Sequence, residues 1–262
     1  MKRKLQIFFA FMVAWLSGAT VYATDNVSTA PDAKAILQKM AQQLARAPGF
    51  SVTIRSDYDA IQQDGLSVAF GNRHQVFLQR PDKLRVEAAR SDGDEDRLLF
   101  DGKTLTAYKS GDNVYAQLEK PGTVDNVVVY LVKDLQITVP LARILLTSLP
   151  QELESLANGF IYVEKDTLVG APADHIIMRT ADTDLQLWIT QGEQPLLVKI
   201  IVTYKNAPGQ PQFRATLSDW NLAPAFKPEI FIWTPPAGAE HIPFLAPVPQ
   251  KIVEDAKQGV TP

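Results

Sequence analysis

Turn signals recur along this chain at a spacing that leaves room for strands and little else. Asp64-Gly65, Asp92-Gly93-Asp94, Asp101-Gly102 and Gly111-Asp112 each separate short runs of mixed apolar and polar residues. Asp-Gly pairs supply the positive φ angles that two-residue hairpins need, and the runs between them are too short to hold crossover helices. The first half is therefore constrained to an antiparallel meander. Residues 50–58 show the alternation plainly: Phe50, Val52 and Ile54 fall on one face, Ser51, Thr53 and Arg55 on the other. The same reasoning predicts strands over 66–79, 83–89, 97–100, 104–108 and 114–118.

A second meander is predicted over residues 160–169, 173–179, 185–190, 196–204 and 212–220, with Gly170-Ala171-Pro172, Ala181-Asp182 and Gln191-Gly192 between strands. Two segments break the strand pattern. Residues 31–47 place Ile36, Leu37, Met40, Ala41 and Leu44 on one helical stripe, and Ala47-Pro48-Gly49 stops it. Between the meanders, about 124–156 forms a helical insertion: residues 124–135 and 140–156 lack alternation and carry Leu141, Ile144, Leu145 and Leu149 at helical spacing. Pro140 and Pro150 suit the first turns of two short helices. The order helix, meander, insertion, meander predicts an α+β fold: one curved antiparallel sheet forming an open, incomplete β-barrel with a helical lid or plug. The inner face of such a sheet must be filled by side chains, helices or a ligand.

The N-terminus is read apart from the fold. Lys2, Arg3 and Lys4 precede an apolar run from Leu5 to Leu16, and Val21-Tyr22-Ala23 offers cleavage positions, so residues 1–23 are predicted to be a removable signal peptide. The run falls short of the ~20 residues of a membrane span, leaving no stable span after cleavage. Residues 24–262 are then a single domain, with a Pro-rich tail from about 235. The chain has no Cys, which removes disulfides, thiolate metal sites, Cys nucleophiles and the lipidated Cys of exported lipoproteins. An exported, disulfide-free chain points to the bacterial periplasm. Losing Lys2, Arg3 and Lys4 moves the formal charge from −3 to −6, and no later basic run interleaves with aromatics, so nucleic acid is excluded as a partner.

Signals for chemistry are weak. His74, His175 and His241 lie far apart and have no ligand partner at metal spacing; His74, beside Arg73, is expected to be exposed, and His175 to pack on a strand face. Asp92, Asp94, Glu95 and Asp96 space oxygens somewhat like a calcium loop but lack its downstream Gly and Glu, as a solvated hairpin tip would. Asp57 and Asp59 can be read as paired catalytic carboxylates, but turn-proximal surface charges explain them more simply. No nucleophile elbow or phosphate-cradling loop is present. The expectation is a non-enzyme without cofactor or metal.

Three stretches, QRPDKLRVE, LLFDGKTLTAY and FIWTPPAGAE, occur in an order and spacing that resemble the Lol-type lipoprotein carriers of the bacterial periplasm. The chain is closer still to a related branch, the DUF2092 predicted periplasmic proteins. The resemblance spans most of the chain from the first helix onward. It implies an open β-barrel covered by helices, with a hydrophobic cavity between sheet and lid. In the carriers, the Arg of the Arg-Pro pair holds the lid closed by hydrogen bonds, and Arg80 matches that position. The plainer reading makes Arg80 a rim residue paired with Asp82 or Glu87.

For a cavity, the candidate lining residues are the inward positions of the sheet and the apolar face of the insertion: Val76, Leu78, Leu84, Val86, Leu99, Leu105, Leu141, Ile144, Leu145, Ile176, Leu187 and Trp188. The competing reading for each is ordinary core packing. Together these features predict a periplasmic, non-catalytic protein carrying a lipid, acyl chain or lipidated protein in a hydrophobic cavity. The alternative is a protein-interaction or envelope-stress sensor module of the same fold, docking an envelope protein partner through exposed Trp-rich strand ends.

Overall fold

The computed structural model describes residues 31–134 and 141–244; the expected signal peptide, Pro140 and the end of the tail lie outside the described residues. After α1 (Ala33–Arg46) come β1 (Gly49–Ile61), β2 (Ser67–Gln79), β3 (Lys83–Arg90), β4 (Glu95–Phe100), β5 (Thr104–Lys109) and β6 (Val114–Glu119). The insertion holds α2 (Val124–Val129), a π-helical turn (Tyr130–Asp134), a 3₁₀ segment (Ala142–Leu145) and α3 (Leu149–Leu156). The second meander is β7 (Gly159–Asp166), β8 (Ala173–Arg179), β9 (Thr183–Thr190), β10 (Leu197–Tyr204) and β11 (Gln212–Asn221). A 3₁₀ turn (Pro228–Phe231) and β12 (Glu240–His241) follow.

All described strands join one sheet in the order β12-β6-β5-β4-β3-β2-β1-β11-β10-β9-β8-β7. Neighbours are antiparallel except β12, which lies parallel to β6. The two meanders meet where β1 pairs with β11, Ile54 opposite Leu217 and Ser56 opposite Ala215. β12 and β7 are the two edges and do not pair with each other, so the sheet is open. At the hairpin tips Gly93 and Gly102 take φ values of 97° and 91°, a region that a Cβ disfavours. No helix among the described residues is long and apolar enough to cross a membrane.

The helices cover one face. Asp32 caps α1 by accepting from the backbone N–H groups of Lys34 and Ala35 at 2.9 and 3.1 Å, and the chain leaves the helix at Ala47 in extended conformation, as a residue before proline prefers. Ala33, Leu37, Met40, Ala41 and Leu44 are its buried stripe. They meet the inward positions of the strands, including Phe50, Val52, Leu78, Leu84, Phe100, Leu105, Ile176, Met178, Leu187 and Ile189, in one core.

The insertion is more broken than its apolar spacing predicts. Leu141 has a φ of 66° and Leu146 is extended, so the helical stretch expected over 140–156 divides into the 3₁₀ segment and α3. The break is held by side chains: Asp125 of α2 accepts from the Thr147 backbone N–H at 2.7 Å and from its hydroxyl at 2.9 Å. Pro150 does lie in the first turn of α3, as expected. Arg143 pairs with Glu152 and Lys34 with Glu154 at 2.6 Å, linking the 3₁₀ segment to α3 and α3 to α1.

The opposite face has a cover of its own. Beyond β11 the chain crosses β2–β6, where Phe226 packs on Phe77 and Phe231 and Trp233 on Tyr108 and Tyr115. Arg85 donates to the Ile230 carbonyl at 2.8 Å. The described start of the Pro-rich tail is thus tied down through β12, where Glu240 pairs with Val114 and His241 with Tyr115.

Candidate functional site: a cavity beneath the 3₁₀ segment

A cavity of about 510 Å³ lies between the sheet and the insertion, within the ~300–1,000 Å³ range of ligand pockets. Its floor is Ile54, Ser56 and Tyr58 of β1, Asn72, His74 and Val76 of β2, and Val86 of β3. Tyr204, Gln212 and Phe213 form one wall, and Leu141, Ala142, Ile144 and Leu145 the roof. Strand alternation explains the floor: Ile54, Ser56 and Tyr58 are spaced by two, as are Asn72, His74 and Val76, and the register sets Ile54 against His74 and Ser56 against Asn72.

Of the twelve residues expected from sequence, Val76, Val86, Leu141, Ile144 and Leu145 line this cavity. Leu78, Leu84, Leu105, Ile176 and Leu187 are on the helix-covered face but inside the packed core. Leu99 and Trp188 lie on the other face, and this corrects the expectation that they point inward. Leu99 is opposite Arg85 and Thr106, while its neighbour Phe100 faces Leu84 and Leu105 within the core. Trp188 stacks on His175 at 4.0 Å and 9°, carries Lys199 over its ring and donates to Asp166 at 2.8 Å.

Arg80 joins floor to roof. Its Nε donates to the Ala47 carbonyl at 3.1 Å, Nη1 to the Leu145 carbonyl at 2.8 Å and Nη2 to the Leu44 carbonyl at 3.5 Å. One planar guanidinium therefore spans the C-terminal turn of α1 and the last residue of the 3₁₀ segment, which five fixed donors permit. Neither Asp82 nor Glu87 is its partner: Asp82 pairs with Lys83, and Glu87 with Arg85 and Arg97. Burial pushes the Arg80 pKa down and the nearby Asp125 carboxylate opposes that shift. Pro81 completes the junction by accepting from the Val124 N–H at 2.8 Å, so the Arg-Pro pair ties both α1 and the insertion to the end of β2.

Asp59, in the lining beside Gln212, is bound into a charge network and is not a free acid. Arg214 donates to Asp57 at 3.0 Å and to both oxygens of Asp59 at 2.9 and 3.1 Å, while the Gln212 N–H donates to Asp59 at 2.9 Å. The Arg214 hydrogen bond, followed by that from Gln212, holds the Asp59 pKa below its ordinary value. Asp57 and Asp59 thus share an arginine. The acidic hairpin is likewise organised around a cation, with Arg90 paired to Asp92, Asp94 and Asp96.

His74 departs from the sequence expectation of an exposed side chain. It is half-buried in the cavity floor, and desolvation lowers its pKa. Burial raises the pKa of Tyr204 opposite. The polar part of the floor, Ser56, Asn72 and His74, lies outside the apolar set expected from the sequence. A usable signal was present: adjacent strand residues point to opposite faces, so an exposed Arg73 turns His74 inward. The described tryptophans do not form exposed strand ends, because Trp188 is buried and Trp220 and Trp233 are half-buried.

No curated protein matches the sequence. Among solved structures, the chain is similar to an uncharacterized conserved protein from Thermus thermophilus, with 10% identity and a TM-score of 0.47, covering 80% of this chain and 98% of that one. It is also similar to LprF from Mycobacterium bovis, with 16% identity and a TM-score of 0.46 over 80% and 99% of the two chains. The LolA superfamily protein NE2245 from Nitrosomonas europaea gives 14% identity and a TM-score of 0.35 over 78% and 99%. The family model described as "Predicted periplasmic protein (DUF2092)" matches residues 33–245, and the chain belongs to that family.

Proposed function

We propose that this protein binds the hydrocarbon part of a lipid, acyl chain or lipidated protein in the cavity beneath the 3₁₀ segment, as a non-catalytic carrier in the periplasm. The observation that carries this reading is a 510 Å³ hollow between a packed core and a roof of Leu141, Ala142, Ile144 and Leu145. A chain entering it is stabilised by about 0.8 kcal/mol for each methylene removed from water. Arg80 controls the position of the roof through its bond to the Leu145 carbonyl.

The test is titration with a fluorescent fatty acid or a neutral fluorescent acyl probe, beside native mass spectrometry of the gently purified protein. Saturable uptake, lost in Ala142→Phe at unchanged secondary structure, supports the carrier. No uptake of either probe and a mass free of lipid overturn it.

A second reading, a module that docks a partner protein, is favoured by one feature. The β1–β2 hairpin exposes Ile61, Leu66 and Phe70 beyond the cavity, and Phe70 stacks on Tyr58 of the floor at 5.9 Å.

A further inference from the structure

The cavity floor holds an uncharged polar group that the fold itself leaves unused. Ser56 is 7% exposed, yet its hydroxyl has no hydrogen-bond partner among the described residues. Leaving a buried hydroxyl unpaired costs about 1–3 kcal/mol, and such a group calls for an occupant. Asn72 is its direct cross-strand neighbour and His74 lies two residues further along β2 on the same face. Neither side chain bonds to another described residue, and all three line the cavity.

No unpaired cation faces this trio in the lining: Arg55 and Arg73, its neighbours in sequence, alternate onto the other face of the strands. Asp59, the acid in the lining, is held by Arg214 and Gln212. Arg90, opposite Asn72 across the β2–β3 pairing, is surrounded by Asp92, Asp94 and Asp96, which leaves that corner net negative. The remaining titratable groups of the lining, Tyr58 and Tyr204, are phenols. A carboxylate or phosphate placed beside Ser56 would lose its water without gaining a cation.

We infer that Ser56, Asn72 and His74 recognise an uncharged hydrogen-bonding group on an acyl-chain ligand, an ester, amide or alcohol, and discriminate against free fatty acids. This rests on the reading that the cavity takes hydrocarbon, and it names the chemistry of the ligand's polar end. The hydroxyl of Ser56 and the amide of Asn72 can each donate or accept, so they fit a carbonyl flanked by an alcohol. His74, whose neutral form is favoured by desolvation, adds a donor or an acceptor according to its tautomer.

The experiment uses the full chain with monopalmitoylglycerol, palmitate and hexadecane as competitors of a neutral fluorescent acyl probe, above the ordinary histidine pKa. The expected result is that monopalmitoylglycerol displaces the probe about tenfold more effectively than palmitate, roughly the value of one buried hydrogen bond. In Ser56→Ala combined with Asn72→Leu that preference should vanish while hexadecane binding persists. Ser56→Ala alone should raise the melting temperature of the ligand-free protein, since it removes an unpaired buried hydroxyl, and weaken monopalmitoylglycerol binding. Failure of every competitor and of the probe would fault the carrier reading itself. Palmitate binding as tightly as monopalmitoylglycerol, or a preference that survives the double variant, would overturn the trio's role.

Discussion

The guanidinium of Arg80 donates to the carbonyl oxygen of Leu145 at 2.8 Å, across the gap between the end of β2 and the roof of the cavity. The same group bonds the Ala47 and Leu44 carbonyls in the last turn of α1, where a positive charge also meets the negative end of the helix dipole. Replacing Arg80 by Leu leaves these carbonyls without their donor, at a cost of about 1–3 kcal/mol. Arg80→Leu is expected to lower the melting temperature and, because the closed roof loses that much stabilisation, to speed acyl-probe uptake by about tenfold for each 1.4 kcal/mol. Stopped-flow fluorescence measures the rate. A lowered melting temperature with unaltered uptake would make Arg80 structural only.

His74 should make stability fall with acid in a defined window. Burial places its folded-state pKa below the ordinary value of 6.5, so just below that pH the unfolded chain binds a proton that the native state does not. Stability from this residue is complete above 6.5 and is lost progressively as the pH falls from there toward the lowered folded value. The slope cannot exceed ~1.4 kcal/mol per pH unit for one group. Urea unfolding at a series of pH values should show the decline in the parent chain and a flatter profile in His74→Leu. Equal slopes in both would remove His74 as the cause.

Much of this architecture was readable from the sequence because an antiparallel sheet with one covered face writes its register as alternation. The strand segments, their turns and the capped first helix followed from that pattern. The misplacement of Leu99 has one physical cause, a second cover that alternation does not announce. In Arg97-Leu98-Leu99-Phe100, Leu98 and Phe100 face the helices while Leu99 is buried on the other side, opposite the Arg85 that bonds the Ile230 carbonyl. Trp188, expected to point inward, is buried on the other face for a related reason, since His175 and Lys199 shelter it there. Within the insertion, apolar spacing was correct but helix continuity was not, because Asp125 captures Thr147 and fixes a break that local propensity does not encode. The polar floor escaped notice because Ser, Asn and His are residues ordinarily assigned to a wet face.

Arg55 and Arg73 stand directly opposite one another on β1 and β2, both exposed, and neither has an ion-pair partner among the described residues. Like charges in this arrangement are destabilising, and an opposite-charge pair contributes about 0.2–1 kcal/mol. Arg73→Glu is therefore expected to stabilise the fold by an amount in that range, and added salt should stabilise the parent more than the variant. Thermal melts at low and high ionic strength check both statements. A destabilised Arg73→Glu would show that the apposition of Arg55 and Arg73 is not a destabilising element of the fold.

Phe231 is 5% exposed on the face away from the helices and packs edge-on against Phe226, which in turn meets Phe77 of β2. The segment carrying it also brings Trp233 onto Tyr108 and Tyr115. If this cover folds as one unit with the sheet, truncating its anchor should cost the ~3–5 kcal/mol typical of a buried Phe→Ala change. Phe231→Ala is expected to lower the urea midpoint at constant m-value, with tryptophan fluorescence and far-ultraviolet circular dichroism falling together. A local arrangement would separate the two signals: the fluorescence of Trp233 would change at low denaturant while the sheet signal stayed near the parent midpoint. That outcome would show the C-terminal cover opening independently of the twelve-stranded sheet.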